Sequence, residues 1–182
     1  MSLERFLMPL ARPGTIPPLE TWNPPFRGDL DLMIATDGSW WHEGQRMTRQ
    51  RLVQLLSTVL WRGNDGDYFL VTPVEKWRIQ VEDLPFLIID ATHCDTHWEV
   101  TTNMADRFCL EADHRVRLSK TPNGDWLPEV PVRFGLAARF HRNVFYRLVA
   151  QAEQREEGGW MELGITSDGL WHPLGRVEKN TL

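Results

Sequence analysis

The sequence predicts an α+β protein of two related small domains, each an antiparallel sheet with one main helix. Three observations carry this. Only two stretches show an apolar face at helical spacing, against about ten short runs of strand character. Asp-Gly and Asn-Gly pairs separate several of those runs, and glycine accepts the positive φ that a hairpin turn needs. The order strand, turn, strand, helix, strand, turn, strand occurs twice, and Asn123-Gly124-x-Trp126 stands 86 positions after Asp37-Gly38-x-Trp40 (123 − 37).

Residues 1–28 are rich in proline, which fixes φ and removes a donor. They read as an extended arm anchored by Trp22. The first repeat, residues 29–84, begins with the strand Leu30–Ala35. The turn Thr36–Ser39 and the returning strand Trp40–Glu43 follow. Thr48 is placed to cap a helix whose face carries Leu52, Leu55, Leu56, Val59 and Leu60. Gly63–Gly66 ends that helix, and Tyr68–Thr72 and Trp77–Glu82 read as strands.

Residues 85–176 hold central strands and the second repeat. Phe86–Asp90, His97–Asn103 and Arg107–Ala112 read as strands, as do Val116–Ser119 and Asp125–Val130 around the turn at Asn123-Gly124. Val144, Phe145, Leu148, Val149 and Ala152 form the second helical face, ended by Gly158-Gly159. A hairpin of Trp160–Ile165 and Leu170–Pro173 closes on Ser167–Gly169. Residues 177–182 form a tail. The two halves, Leu30–Glu82 and Val116–Pro173, are expected to superpose. Leu52, Leu56, Val59, Val144, Leu148 and Val149 are expected to be buried.

Composition excludes several classes. The chain has 182 residues, 42% hydrophobic and 25% charged, so it is neither a disordered tail nor a collagen-like fibre nor a disulfide scaffold. Twenty basic against 25 acidic residues leave a net charge of −5, which argues against a partner of duplex nucleic acid. No run approaches the roughly 20 apolar residues of a membrane helix. The expectation is a cytoplasmic protein with Cys94 and Cys109 reduced.

Strand alternation puts Trp77, Ile79 and Val81 on one face and Lys76, Arg78, Gln80 and Glu82 on the other. The second row is either a solvated face or an anion site. Lys76, Arg78, Arg107, Arg115 and Arg117 would make a basic patch if the sheets are contiguous, and pairing with Glu82, Glu99 and Glu111 explains them equally well. The segment His93-Cys94-Asp95-Thr96-His97 holds metal-ligand types, but it reads as a hairpin turn, and no metal site is expected. Gly-rich phosphate loops, nucleophile elbows and zinc-protease motifs are absent.

Asp37–Glu43 (DGSWWHE), Arg51–Leu60 (RLVQLLSTVL), Leu70–Phe86 (LVTPVEKWRIQVEDLPF), Thr101–Phe108 (TTNMADRF) and Pro131–Val149 (PVRFGLAARFHRNVFYRLV) together resemble the bacterial "domain of unknown function 1285" family. The resemblance spans about Trp22 to Gly175. It implies a duplicated α+β protein whose C-terminal half is superficially similar to pleckstrin-homology folds. It also implies a nucleotide-like ligand near the domain interface, with no established reaction or cofactor. Carried over by motif, the ligand-binding positions are His42, Thr72, Glu75, Lys76, Asp83, Asn103, Asp106 and Arg133. Leu60-Trp61-Arg62-Gly63 departs from the paired basic residues and acid that the family usually has there.

The resemblance leads to non-catalytic binding of a nucleotide-like or other anionic small molecule between the repeats, with a regulatory or signalling role. Lys76 and Arg133 would hold anionic groups, Thr72, Asn103, Asp83 and Asp106 the polar portion, and Trp41 would stack on a base. Two alternatives stand beside it. One is a protein–protein interaction module. The other is a metal-dependent nucleotide hydrolase using Glu75, Asp83 and Asp106.

Overall fold

The computed structural model describes residues 15–178. The chain forms two compact units. The first runs to Pro85 and includes Arg133–Leu136; the second holds Phe86–Val132 and the chain from Ala137 onward. Residues 1–14 of the expected arm and 179–182 of the tail lie outside the described residues. The described part of the arm is not simply extended. It makes a 3-10 turn at Leu19–Thr21, and Leu19, 1% exposed, anchors it while Trp22 is half-buried.

The first unit is one mixed sheet with one helix. Its elements are β1 (Phe26–Ile34), β2 (Trp40–His42), β3 (Gln45–Arg46), α1 (Gln50–Ser57), β4 (Leu60–Arg62), β5 (Tyr68–Val71) and β6 (Lys76–Val81). The strand order is β3-β2-β1-β6-β5-β4. The central pair β1–β6 is parallel and every other neighbour is antiparallel. The alternation read in β6 holds: Ile79 is buried, whereas Arg78 and Gln80 are exposed.

The second unit repeats this sheet. Its strands are β7 (Phe86–Cys94), β8 (His97–Thr102), β9 (Arg107–Cys109), β10 (Arg117–Lys120), β11 (Trp126–Arg133) and β12 (Leu136–Phe140). Their order, β10-β11-β12-β7-β8-β9, is the first sheet's order with β7 in the place of β1 and β12 in the place of β6. The pair β7–β12 is again parallel. The helix α2 (Arg142–Val149) follows, then a separate meander of β13 (Glu153–Glu157), β14 (Trp160–Ser167) and β15 (Leu170–Glu178).

Duplication is therefore present, but the repeated halves are not Leu30–Glu82 and Val116–Pro173. Phe26–Val81 repeats as Phe86–Phe140, and the helices are not equivalent. α1 lies between the third and fourth strands of its sheet; α2 comes after the sixth strand of the other. The cause is a shared turn. Ala35–Ser39, Gly63–Asp67 and Thr121–Asp125 close with the same pair of backbone bonds, and Gly38, Gly66 and Gly124 all have positive φ. The turn at Asn123-Gly124 joins β10 to β11 and so matches Gly63–Asp67, between β4 and β5. It does not match Asp37-Gly38.

The helices are shorter than their apolar patterns. In α1 the buried residues are Val53, Leu56 and Ser57, while Leu52 is half-buried. Arg49 stands at the N-cap in place of Thr48. The Ser57 and Thr58 hydroxyls bond back to the Gln54 and Leu55 carbonyls at 2.7 Å each, and the chain leaves the helix there. Val59 and Leu60 are both buried, but they follow the helix, and Leu60 opens β4. In α2 Val144 and Leu148 are buried and Val149 is half-buried. The His141 ring accepts the Asn143 N–H at 3.3 Å, capping the first turn.

Candidate functional site

The eight positions marked by resemblance fall mostly on turns. In the first sheet, the β2–β3 and β5–β6 turns share the end where β1 and β6 begin, because those two strands are parallel and their neighbours antiparallel. His42, Thr72, Glu75 and Lys76 lie at that end. Asp83 follows β6 at the opposite end and is half-buried. In the second sheet, Asn103 and Asp106 occupy the β8–β9 turn.

Their side chains serve the backbone. Thr72 Oγ1 accepts the N–H groups of Val74 at 3.4 Å and Glu75 at 3.2 Å, while the Thr72 N–H donates to the Glu75 carbonyl at 2.9 Å. Thr102 works the same way: its Oγ1 accepts the N–H groups of Met104 and Asp106 and donates to Asp106 Oδ2 at 2.9 Å. Thr102 is 1% exposed, as is Thr72, and sequence reasoning passed over it. Asn103 Oδ1 accepts the Leu87 N–H at 3.0 Å, tying the turn to β7.

Lys76 and Arg133 are also engaged, whereas the buried His42 Nε2 has no hydrogen-bond partner among the described residues. The Lys76 ammonium lies 4.8 Å from the centre of the Phe69 ring and makes no ion pair with Glu82. The Glu82 carboxylate accepts the Thr36 N–H instead. Arg133 donates to the Ser57 carbonyl at 2.9 Å, where a cation complements the negative end of α1. His42 Nε2 stands 4.0 Å from the Glu43 carboxylate, beyond hydrogen-bond reach. Trp41 donates its indole N–H to Ser39.

The expected basic patch is divided between the units, and most of its members hold a carboxylate. Arg78 bridges Asp29 and Asp67, Arg107 meets Glu99, and Arg117 meets Glu129. A cleft of about 470 Å³ on the first unit has Arg78 locked at its rim by those two aspartates. His93, Cys94 and His97 lie at the β7–β8 turn, where Cys94 pairs across with His97. Among the described residues no group of three His, Cys, Asp or Glu is arranged to hold a metal ion.

The second unit carries a groove of about 610 Å³ that contains none of the eight positions. Its floor is Trp171. The indole lies on the bare backbone of Gly164, where a Cβ would come within 2.6 Å of the ring. The Trp171 N–H donates to Glu162 at 3.1 Å, and the Arg155 guanidinium stacks 4.7 Å above the ring. Arg155 also pairs with Glu157 and Glu162. Arg115, Arg117 and Arg176 complete a lining of four arginines against the acids Asp113, Glu157 and Glu162. Arg115 and Arg176 pair with no carboxylate of the described residues. Sequence reading found Arg115 and Arg117 but not Arg155 and Arg176, which reach the groove from β13 and β15.

Behind Trp171 the next residue, His172, points the other way and is fully buried. Its Nδ1 accepts the Val116 N–H at 3.2 Å. Burial pushes its pKa below the ordinary 6.5, and the charge of Arg115 adds to the effect. The folded state therefore resists a proton that the unfolded chain accepts. Stability should fall as pH drops below 6.5 toward the folded-state pKa. Asp29, Asp37 and Asp90 have lowered pKa values, through hydrogen bonds from Arg78, Ser39 and Arg147, and act only below their ordinary 3.8. Urea midpoints measured between about pH 7 and 5 should thus decline in the native protein and stay level in His172→Gln. Parallel declines would assign the slope to other groups.

Twin six-stranded sheets, each paired in parallel at its centre, define a duplicated α+β protein. Residues 17–84 match the description "Domain of unknown function (DUF1285), N-terminal domain", and residues 85–174 match "Protein of unknown function (DUF1285), C-terminal domain". The chain belongs to the DUF1285 family. A crystal structure of a DUF1285 family protein from Silicibacter pomeroyi DSS-3 is 36% identical, with a TM-score of 0.81 over 94% of this chain and 93% of that one. Another from Shewanella baltica OS155 is 28% identical, with a TM-score of 0.53 over 67% of this chain and 92% of that one. No curated protein matches the chain. Among the described residues no helix is long and apolar enough to cross a membrane.

Proposed function

We propose that the protein binds a nucleotide-like or other anionic small molecule without transforming it, in the arginine-lined groove of the second unit. The observation that supports this is the set of four arginines around Trp171, two of them without a carboxylate partner. Guanidinium groups present a planar fork to phosphate or carboxylate. The Thr72, Asn103 and Asp106 side chains are spent on turns, which favours the groove over those positions as the ligand site.

The test is thermal stability with pyrophosphate and with nucleoside mono- and triphosphates. A ligand at 100 times its Kd should add about 2.7 kcal/mol. Arg115→Gln, an exposed change, should leave the ligand-free melting temperature in place and weaken binding roughly tenfold, a loss of about 1.4 kcal/mol. Lys76→Met separates the two placements. It leaves ligand-induced stabilisation intact if the groove is the site, and abolishes it if the positions carried by resemblance are. No stabilisation by any of these anions would end the proposal.

A further inference from the structure

Beside the groove the cations and indoles alternate. Arg176 of β15 lines the groove and also lies between two tryptophans, 5.0 Å from the Trp160 ring centre and 5.5 Å from that of Trp126. Lys120 stands over the same Trp126 ring at 5.8 Å. Trp126 is 50% exposed and Trp160 37%, an unusual exposure for the largest apolar side chain. Within the groove, Arg155 on Trp171 repeats the pairing.

Local strand register explains the alignment. Trp160 pairs with Glu157 and Glu178, and Arg155, Glu162 and Arg176 form the next rung on the same face. Trp126 pairs with Lys120 across β10 and β11. Two exposed indoles, each already carrying a cation, thus continue the line of arginines beyond the groove. Neither Lys120 nor Arg176 pairs with a carboxylate of the described residues.

This surface asks for a ligand with repeating anionic charge and repeating flat rings. A single nucleotide can occupy the groove but brings one ring. An acidic peptide supplies charge but not regularly spaced aromatic faces. Stacking platforms joined to a cationic groove are the physical basis of single-strand binding, because every base has a π-face and every phosphate a charge. A guanidinium plane stacked on an indole extends the flat surface that a base can meet. A duplex keeps its base faces stacked inside the helix, so the exposed indoles would have no ring to meet.

We propose that the groove and the Trp126–Arg176–Trp160 ladder form one track for a single-stranded oligonucleotide. This rests on the reading of the groove as an anion site. The experiment uses the full chain and a fluorescein-labelled oligothymidylate of about ten nucleotides, within the usual footprint of single-strand sites. Competitors are thymidine monophosphate, a duplex of the same length and polyglutamate; pyrophosphate stabilisation is measured in parallel.

The strand should bind at least about tenfold more tightly than the monophosphate. Trp126→Leu and Trp160→Leu should each weaken the strand by about five- to a hundredfold and leave stabilisation by pyrophosphate unchanged. Arg176→Gln should weaken it as well, which covers the case of a tryptophan variant that folds poorly. Equal competition by duplex or polyglutamate overturns the proposal, as do tryptophan variants that bind the strand normally. If pyrophosphate stabilises the protein but the strand binds no better than the monophosphate, the track fails and the groove reading stands. If neither binds, both fail.

Discussion

Arg139→Ala should destabilise the protein by about 3–5 kcal/mol, the cost expected when one member of a buried charged network is removed. Arg139 belongs to β12 and is 6% exposed. Its guanidinium donates to the carbonyls of Leu127 at 3.0 Å and Pro128 at 3.4 Å, and to Ser119 Oγ at 3.1 Å. Ser119 in turn donates to Glu129 at 2.6 Å, and Arg117 reaches the same carboxylate from the surface at 2.5 Å. Glu129 is itself 5% exposed. Truncation at Arg139 takes a donor from two carbonyls and leaves a buried carboxylate with less compensation. Arg139→Lys keeps the charge but loses the fork, so it should recover only part of the loss. Urea denaturation reads both. A change below about 1 kcal/mol for Arg139→Ala would mean that water replaces the guanidinium.

Leu56→Ala should cost about 2–5 kcal/mol, through lost apolar burial and the cavity left behind. Leu56 is 0% exposed, on the face of α1 that meets the core. Leu52, one turn earlier, is only half-buried, so its truncation should cost clearly less. Comparing the two midpoints checks the rotation of the helix. Equal losses would show that α1 is turned so that both leucines face inward.

The helices and most strands were readable because period and turn chemistry are local. β12 was not. Leu136–Phe140 is buried at every position, as a strand beside a parallel partner tends to be, so it has no alternation to read. It also runs almost directly into α2, whose pattern masks it. β13 failed for the opposite reason. Glu153-Gln154-Arg155-Glu156-Glu157 is polar and exposed throughout, and only its pairing with β14 makes it a strand. β4 was absorbed into the helix before it because Leu60 continues the apolar spacing. The Asp-Gly signal identified hairpins correctly but could not say which hairpin of the repeat it marked.

The candidate site was legible in the same uneven way. Arg115 and Arg117 stand out as a basic alternation, whereas Arg155 and Arg176 join them only through the three-stranded meander. Thr72 and Asn103 entered as ligand positions through the family resemblance, and a hydroxyl or amide in a polar string has two uses. Their distances show the second use, closing turns.

The parallel seam at the centre of each sheet has a consequence for how the chain folds. Each half-sheet is a meander of near neighbours, but the seam joins residues far apart in sequence, Phe26 with Lys76 and Phe86 with Ala138. The entropy of closing such a loop is spent before the seam's contacts can offset it. The hairpins are therefore expected to form before the two seams, so that substitutions in β1 and β6, or β7 and β12, should change the unfolding rate more than the folding rate. The same strands that most define the architecture are the ones that hold it shut.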